Sequence, residues 1–220
     1  ISQDMLLGVL EVHRDADLAF SLEEIELIER IARHAAVSMQ VTRNTAIKNW
    51  RFEQLNLVRS VSAQIANLLD LDELCTRVTS LIQKTFSYYL VSVFTLEPDQ
   101  EFLQFRAYAS VNPLCDADPL FLDSIRMGEG LVGAVASHGR EHYAPDVNQD
   151  ELYRPANCLP DTQSEIAIPI KVENRVLGIL DVQSNHKNAF HQMDRLVLRS
   201  LADNIALAVE GTHLYQDLQH

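Results

Sequence analysis

Glu165-Ile166-Ala167-Ile168-Pro169-Ile170-Lys171, followed by Arg175-Val176-Leu177-Gly178-Ile179-Leu180-Asp181-Val182-Gln183, is the stretch that decides the fold. Both runs are rich in β-branched residues, and Glu173-Asn174 between them suits a tight turn. The pair reads as a β-hairpin. A long helical pattern follows, from about Gln192 to Leu218. Upstream, Leu90–Leu96 and Phe102–Ala109 are aromatic and β-branched on either side of Pro98-Asp99-Gln100, a second hairpin. Between the hairpins, residues 112–127 are irregular, with Pro113 and Pro119, and Leu131–Ser137 reads as a short helix stopped by Gly139. His142-Tyr143 starts a short strand that ends at Pro145, and residues 146–164 are a polar, Pro-punctuated loop. Hairpins with helices grouped around them predict an α+β fold, an antiparallel sheet flanked by helices.

The first third of the chain reads differently. Residues 9–97 contain neither Gly nor Pro. Ser21-Leu22-Glu23-Glu24 has the form of a capping box. Ile25, Ile28, Ala32, Ala35, Met39, Thr42 and Ala46 then recur three and four apart, as on one face of a helix. A second such stretch runs through Phe52, Leu55, Val58, Val61, Ile65 and Leu68. Joined, they predict a long connector helix; about 48 residues at 1.5 Å each would span roughly 70 Å. Asp70-Leu71-Asp72-Glu73 reads as a fresh N-cap and first turn, opening a helix to about Phe86.

The chain also repeats itself. Leu6–Phe20 (LLGVLEVHRDADLAF) matches Val176–Phe190 (VLGILDVQSNHKNAF), with Leu7/Leu177, Gly8/Gly178, Leu10/Leu180, Val12/Val182, Ala19/Ala189 and Phe20/Phe190 identical. Ala32/Ala202 and Ala36/Ala206 extend the match. The period is too long for a solenoid and suits a domain plus a connector. The expected division is the closing strand and helix of an upstream domain over 1–45, a connector helix over 46–69, and a complete domain over 70–220. An apolar strand at 5–12 would pair with residues upstream of Ile1 or with another copy of the chain. The first residue is Ile rather than Met, which fits a fragment.

Composition narrows the function. The 220 residues are 47% hydrophobic and 22% charged, with net charge −13 and pI about 4.9. That balance argues against nucleic-acid binding, which rests on Lys and Arg. No apolar run is long enough for a membrane span, and no signal peptide is visible. Cys75, Cys115 and Cys158 are an odd number with no CxxC, which fits a reducing compartment. From Glu97 to Glu151 there are 11 acidic and three basic residues, read as a solvated acidic face or as a surface that repels anions.

Three patterns invite chemistry. Gly128-Glu129-Gly130-Leu131-Val132-Gly133 matches GxGxxG, but Leu122–Met127 does not read as a strand and parallel βαβ alternation is absent. A tight turn that lets a helix pack close to the sheet suits it better. His138-Gly139-Arg140-Glu141-His142 matches a zinc-peptidase HxxEH, yet Gly139 would break the helix that must carry both histidines, so no metal site is expected. Among the cysteines, Cys75 reads as a core residue, and Cys115 and Cys158 lie in loops.

The order of several pieces resembles a GAF domain: Asp70-Leu71-Asp72-Glu73-Leu74, Gly128 through Ala136, Ala144-Pro145-Asp146-Val147, Ser164 through Ile170, and Val176 through Val182 with Phe190 and Asp194. The likeness covers about residues 52–215, and residues 5–45 look like the end of a preceding GAF domain. It implies a cytoplasmic sensory module placed before a kinase, phosphatase, cyclase or transcriptional output domain. Asn185, Lys187, Phe190 and Asp194 fit the family's cyclic-nucleotide signature in part, with His186 interrupting Asn-Lys and Arg195 replacing Glu. Cys158 precedes Leu159 rather than the His of bilin-binding members. Members that reduce free methionine sulfoxide cluster their cysteines, whereas these three are spread. For haem, His142 is the one candidate axial ligand. No cofactor is assigned.

The expected function is therefore non-catalytic: binding of an unidentified small molecule, relayed through helices of a homodimer. The ligand would lie between the sheet and the loop from Asp146 to Ser164, against Phe94, Phe105, Val135, Tyr143, Tyr153, Ile166, Ile168 and Val182, with Ser164 and Arg154 giving directional contacts. The dimer seam would be Leu198, Leu201, Ile205, Ala208, Thr212 and Tyr215, at alternating three and four spacing. Leu196, Val197, Leu207 and Val209 would dock the helix on its sheet. The seam pattern slips near Asn49 and Glu53, where a ligand-driven shift of register is expected. The alternatives are a ligand-free dimerising spacer, or a redox enzyme using Cys115 or Cys158.

Overall fold

The computed structural model describes residues 7–14, 19–40, 70–96, 101–111 and 124–219, with side chains as far as Thr212. The chain divides into two compact units, 1–56 and 57–220. The expected connector over 46–69, the register slip at Asn49 and Glu53, Cys115, and the Tyr215 side chain lie outside what is described.

In the first unit, helix α1 covers residues 22–40. The capping box forms as read: Ser21 N–H donates to Glu24 Oε2 at 2.8 Å, and Glu24 N–H donates to Ser21 Oγ at 3.3 Å. Residues 7–14 carry no strand, and Val9 is 84% exposed. The expected strand is absent for a physical reason: a strand needs a partner, and the described part of this unit holds none. Leu7–Leu10 instead lie across Ile31, Ala35 and Met39, around a cavity of about 380 Å³.

The second unit opens with helix α2, Leu71–Phe86. Asp70 caps it, its side chain accepting from Glu73 N–H at 2.8 Å. Leu71, Leu74, Val78 and Ile82, three and four apart, form its buried stripe, with Cys75 beside them. Strands β1 (Leu90–Leu96), β2 (Phe102–Ser110), β3 (Ser124–Arg126), β4 (His142–Ala144), β5 (Ser164–Val172) and β6 (Arg175–Ser184) make one antiparallel sheet in the order β3-β2-β1-β6-β5-β4. Helix α3 is Gly130–His138, ended by Gly139, and helix α4 is Gln192–Gln219. No described helix is long and apolar enough to cross a membrane.

Register decides which side chains share a face. Phe94 lies opposite Ile179, Ala167 opposite Asp181, and Val93 opposite Leu180. Phe94, Leu103, Ala144, Ala167 and Ile179 pack with Leu131, Val132, Val135 and Ala136 of α3. Because side chains alternate along a strand, Val91, Val93, Ile166, Ile168, Leu180 and Val182 point the other way, to the face covered by α2 and α4.

The glycine motif is settled by its neighbours. Residues 124–126 do form a strand, β3, which corrects the irregular reading of 112–127, but it runs antiparallel to β2, and the described residues hold no βαβ unit. Gly128 N–H donates to Gly133 C=O at 2.8 Å to close the β3–α3 turn, with Gly128 at φ +84° and Gly130 at φ +64°. A Cβ on Gly133 would lie 2.4 Å from the Arg126 carbonyl oxygen. These glycines seat α3 on the strand before it.

Candidate functional site

The face under α3 is the one that carries buried carboxyl groups. Ser92 on β1, Asp181 and Gln183 on β6, and Glu165 on β5 all point to it by register. All four are buried, Asp181 to 2% exposure. Ser92 Oγ and Gln183 Nε2 each donate to Asp181 Oδ2 at 3.1 Å. Thr162, from the loop above, donates to Gln183 Oε1 at 2.8 Å. Asp181 Oδ1 accepts from no N–H among the described residues, and the Glu165 carboxyl lies within hydrogen-bonding reach of the Asp181 carboxyl.

This arrangement penalises charge. Burial pushes the Asp181 carboxyl up to about 6, against the pull of the Gln183 and Ser92 donors. Burial, and then the neighbouring Asp181 charge, hold Glu165 well above the ordinary carboxylate range. The loop that supplies Thr162 lies over one end of the cluster. Its Leu159 packs with Ala156, Tyr89 and Leu90, and Leu90 is the β1 partner of Gln183. Cys158, half-buried, sits on this loop. Cys75 is sealed in the core, where burial pushes its thiol up to about 12.

The expected lining residues split between the two faces. Phe94, Phe105, Val135 and Tyr153 meet under α3. Arg154 borders a pocket of about 220 Å³ with Ser124, Ile125 and the first turn of α3. Tyr143, Ser164, Ile166, Ile168 and Val182 belong to the opposite face and are corrected. Tyr143 packs edge-on against Phe190 at 5.8 Å, and Ser164 Oγ donates to His186 C=O at 2.8 Å. The reason is phase: in a strand buried on both faces, apolar character does not show which face a residue takes, and an offset of one reverses every assignment. Glu165 and Asp181, two acids in otherwise apolar strands, were the signal that marked the correct phase.

Other motif residues have structural duties. Lys187 pairs with Asp146 at 2.6 Å, Asn185 with His186 at 2.7 Å, Phe190 is core, and Asp194 accepts the His191 N–H at 2.9 Å. His142 Nε2 meets Asp150 Oδ2 at 2.6 Å on β4, whereas His138 ends α3, so the HxxEH histidines are on different elements. No three His, Cys, Asp or Glu among the described residues are placed to hold a metal.

The seam assigned to α4 is also corrected. Leu198, Leu201, Ile205 and Thr212 are buried within this one chain, and Ala208 is half-buried. Val197 and Val209 dock as expected, but Leu196 and Leu207 are 54% and 68% exposed. Three-and-four spacing shows that a face is apolar; it does not show what covers it.

The chain is similar to protein YtsP of Bacillus subtilis, at 32% identity over 85 residues, 39% of this chain and 51% of that protein. The match thus spans about half the length of that relative. The fold resembles the GAF domain of an Acinetobacter phosphoenolpyruvate-protein phosphotransferase (TM-score 0.64, 18% identity, 75% of this chain and 98% of that one). It equally resembles a free methionine-R-sulfoxide reductase from Neisseria meningitidis in complex with its substrate (TM-score 0.64, 19% identity, 74% and 91%). The GAF domain profile matches residues 68–210, well over half of the chain. The six-stranded antiparallel sheet with its flanking helices agrees, and the chain belongs to the GAF domain family.

Proposed function

We propose that the chain is a non-catalytic regulatory module of a cytoplasmic signalling protein, binding a small molecule under α3. In this reading residues 1–45 close an upstream GAF domain, 46–69 connect, and 70–220 sense, with a homodimer passing the ligand's state to an output domain. The observation that supports the ligand is the pair of carboxyl groups, Asp181 and Glu165, buried side by side on the face under α3. Two acids buried side by side are costly when charged, and a ligand bearing an ammonium group would offset that cost. Native mass spectrometry of the purified protein, with its visible absorption spectrum, tests this. A bound small molecule lost in Asp181→Asn supports the reading. Loss-free binding refutes the site, and an empty domain favours the ligand-free spacer.

One observation favours a second reading. Cys158 lies on the loop over the acid cluster, and one similar fold is a free methionine-R-sulfoxide reductase. Turnover of free methionine-R-sulfoxide with a thiol reductant, abolished by Cys158→Ser, would establish a redox enzyme. No turnover supports the non-catalytic module.

A further inference from the structure

Glu141 is the residue between the end of α3 and the start of β4. Its carboxylate faces across the β4 edge of the sheet to α4. Arg195 Nε donates to Glu141 Oε1 at 3.1 Å, and Arg195 Nη2 donates to the same oxygen at 2.5 Å. Arg199 Nη2 adds a third bond to Oε1 at 2.5 Å, and Arg199 Nε donates to Oε2. Arg195 and Arg199 are one helical turn apart, so one carboxylate bridges a turn of α4 with both its oxygens. The Arg195 guanidinium also lies 5.3 Å from the Tyr143 ring centre, on β4 itself. At the other end, Gly139 N–H donates to Val135 C=O at 2.8 Å, and Lys171 Nζ donates to Gly139 C=O at 3.0 Å. The link from α3 to Glu141 is therefore held at Gly139 and at Glu141. It joins the two faces of the sheet: α3 packs on the face that holds the acid cluster, and α4 packs on the other.

We propose that Glu141, gripped by Arg195 and Arg199, is the coupling strut by which a displacement of α3 is passed to α4. The proposal rests on the reading of the face under α3 as the ligand site. Apolar packing alone would let α3 loosen without consequence for a helix on the opposite face. The strut makes the position of α4's first turns depend on where α3 ends, which gives two sites a shared element to bias.

Hydrogen exchange of the full chain, read by mass spectrometry as the ratio of α4 (residues 195–206) to α2, tests it without any ligand. Glu141→Gln is expected to raise that ratio about fivefold. Val135→Ala, which loosens α3 from the sheet, should raise the ratio when Glu141 is present and change it by less than about twofold in the Glu141→Gln background. Equal effects of Val135→Ala in both backgrounds, or no effect of Glu141→Gln, overturn the proposal. If Glu141→Gln does not fold, Arg199→Gln, whose side chain is half-exposed, takes its place with the same expectation. Since no ligand enters the measurement, failure here leaves the ligand reading standing. Failure of the Asp181→Asn binding test leaves the mechanical link standing.

Discussion

Asp181 is an acid placed where acids are costly, and its behaviour with pH follows. Its folded value, about 6, lies above the ordinary one near 3.8. The native state therefore holds a proton that the unfolded chain has released, and stability falls as pH rises between about 4 and 6. Asp181→Asn should flatten that decline and raise stability at pH 7 by on the order of 2 kcal/mol. Thermal melts of both proteins from pH 4 to 7 check it; parallel curves contradict it. Glu165→Gln should act in the same direction, since its carboxyl is also held above the ordinary range. Cys75 gives a second expectation. With its thiol buried and pushed up to about 12, it should resist thiol reagents in the native protein and react once urea unfolds it. Peptide mapping of the labelled protein reads this directly.

Elements can be tested through a pair of glycines. At Gly133 a methyl group would meet the Arg126 carbonyl 2.4 Å away, whereas at Gly211, exposed on α4, it would meet nothing within 4 Å. Gly133→Ala should cost about 1–3 kcal/mol by forcing α3 off β3. Gly211→Ala should add about 0.5–1 kcal/mol through helix propensity alone. Denaturant melts of the two variants should thus move in opposite directions. Elements with local chemistry were the ones legible in the sequence: the Asp70 cap, the Ser21–Glu24 box, the Gly139 stop and the Glu173-Asn174 turn. Strand β3 was not, because three residues are too few to show alternation. The candidate site was half legible. Phe94 and Val135 do pack together under α3, but the residues chosen on β5 and β6 belong to the opposite face, since apolar character is continuous there. The α4 seam failed for a related reason: its stripe was visible, but the sheet claims it.

At the scale of the whole molecule, α4 makes the self-association test specific. Leu201 is core, so Leu201→Glu should unfold the domain, at a cost above about 4 kcal/mol for a buried unpaired charge. Leu207 is exposed, so Leu207→Glu should change stability by under about 0.5 kcal/mol. Sedimentation equilibrium of Leu207→Glu beside the parent chain then reads association apart from folding. A mass that falls to that of one chain only in the variant assigns the outer face of α4 to the dimer. The ends of the sheet carry a different consequence. Among the described residues the outermost strands, β3 and β4, are three residues each, and Pro169 removes one donor from β5 just past the end of β4. Short rims offer a stray strand few backbone groups to grasp. A cell making many copies of this domain on crowded ribosomes thus meets little tendency for half-finished neighbours to knit into one another's sheets, and the domain can be concentrated without seeding fibres.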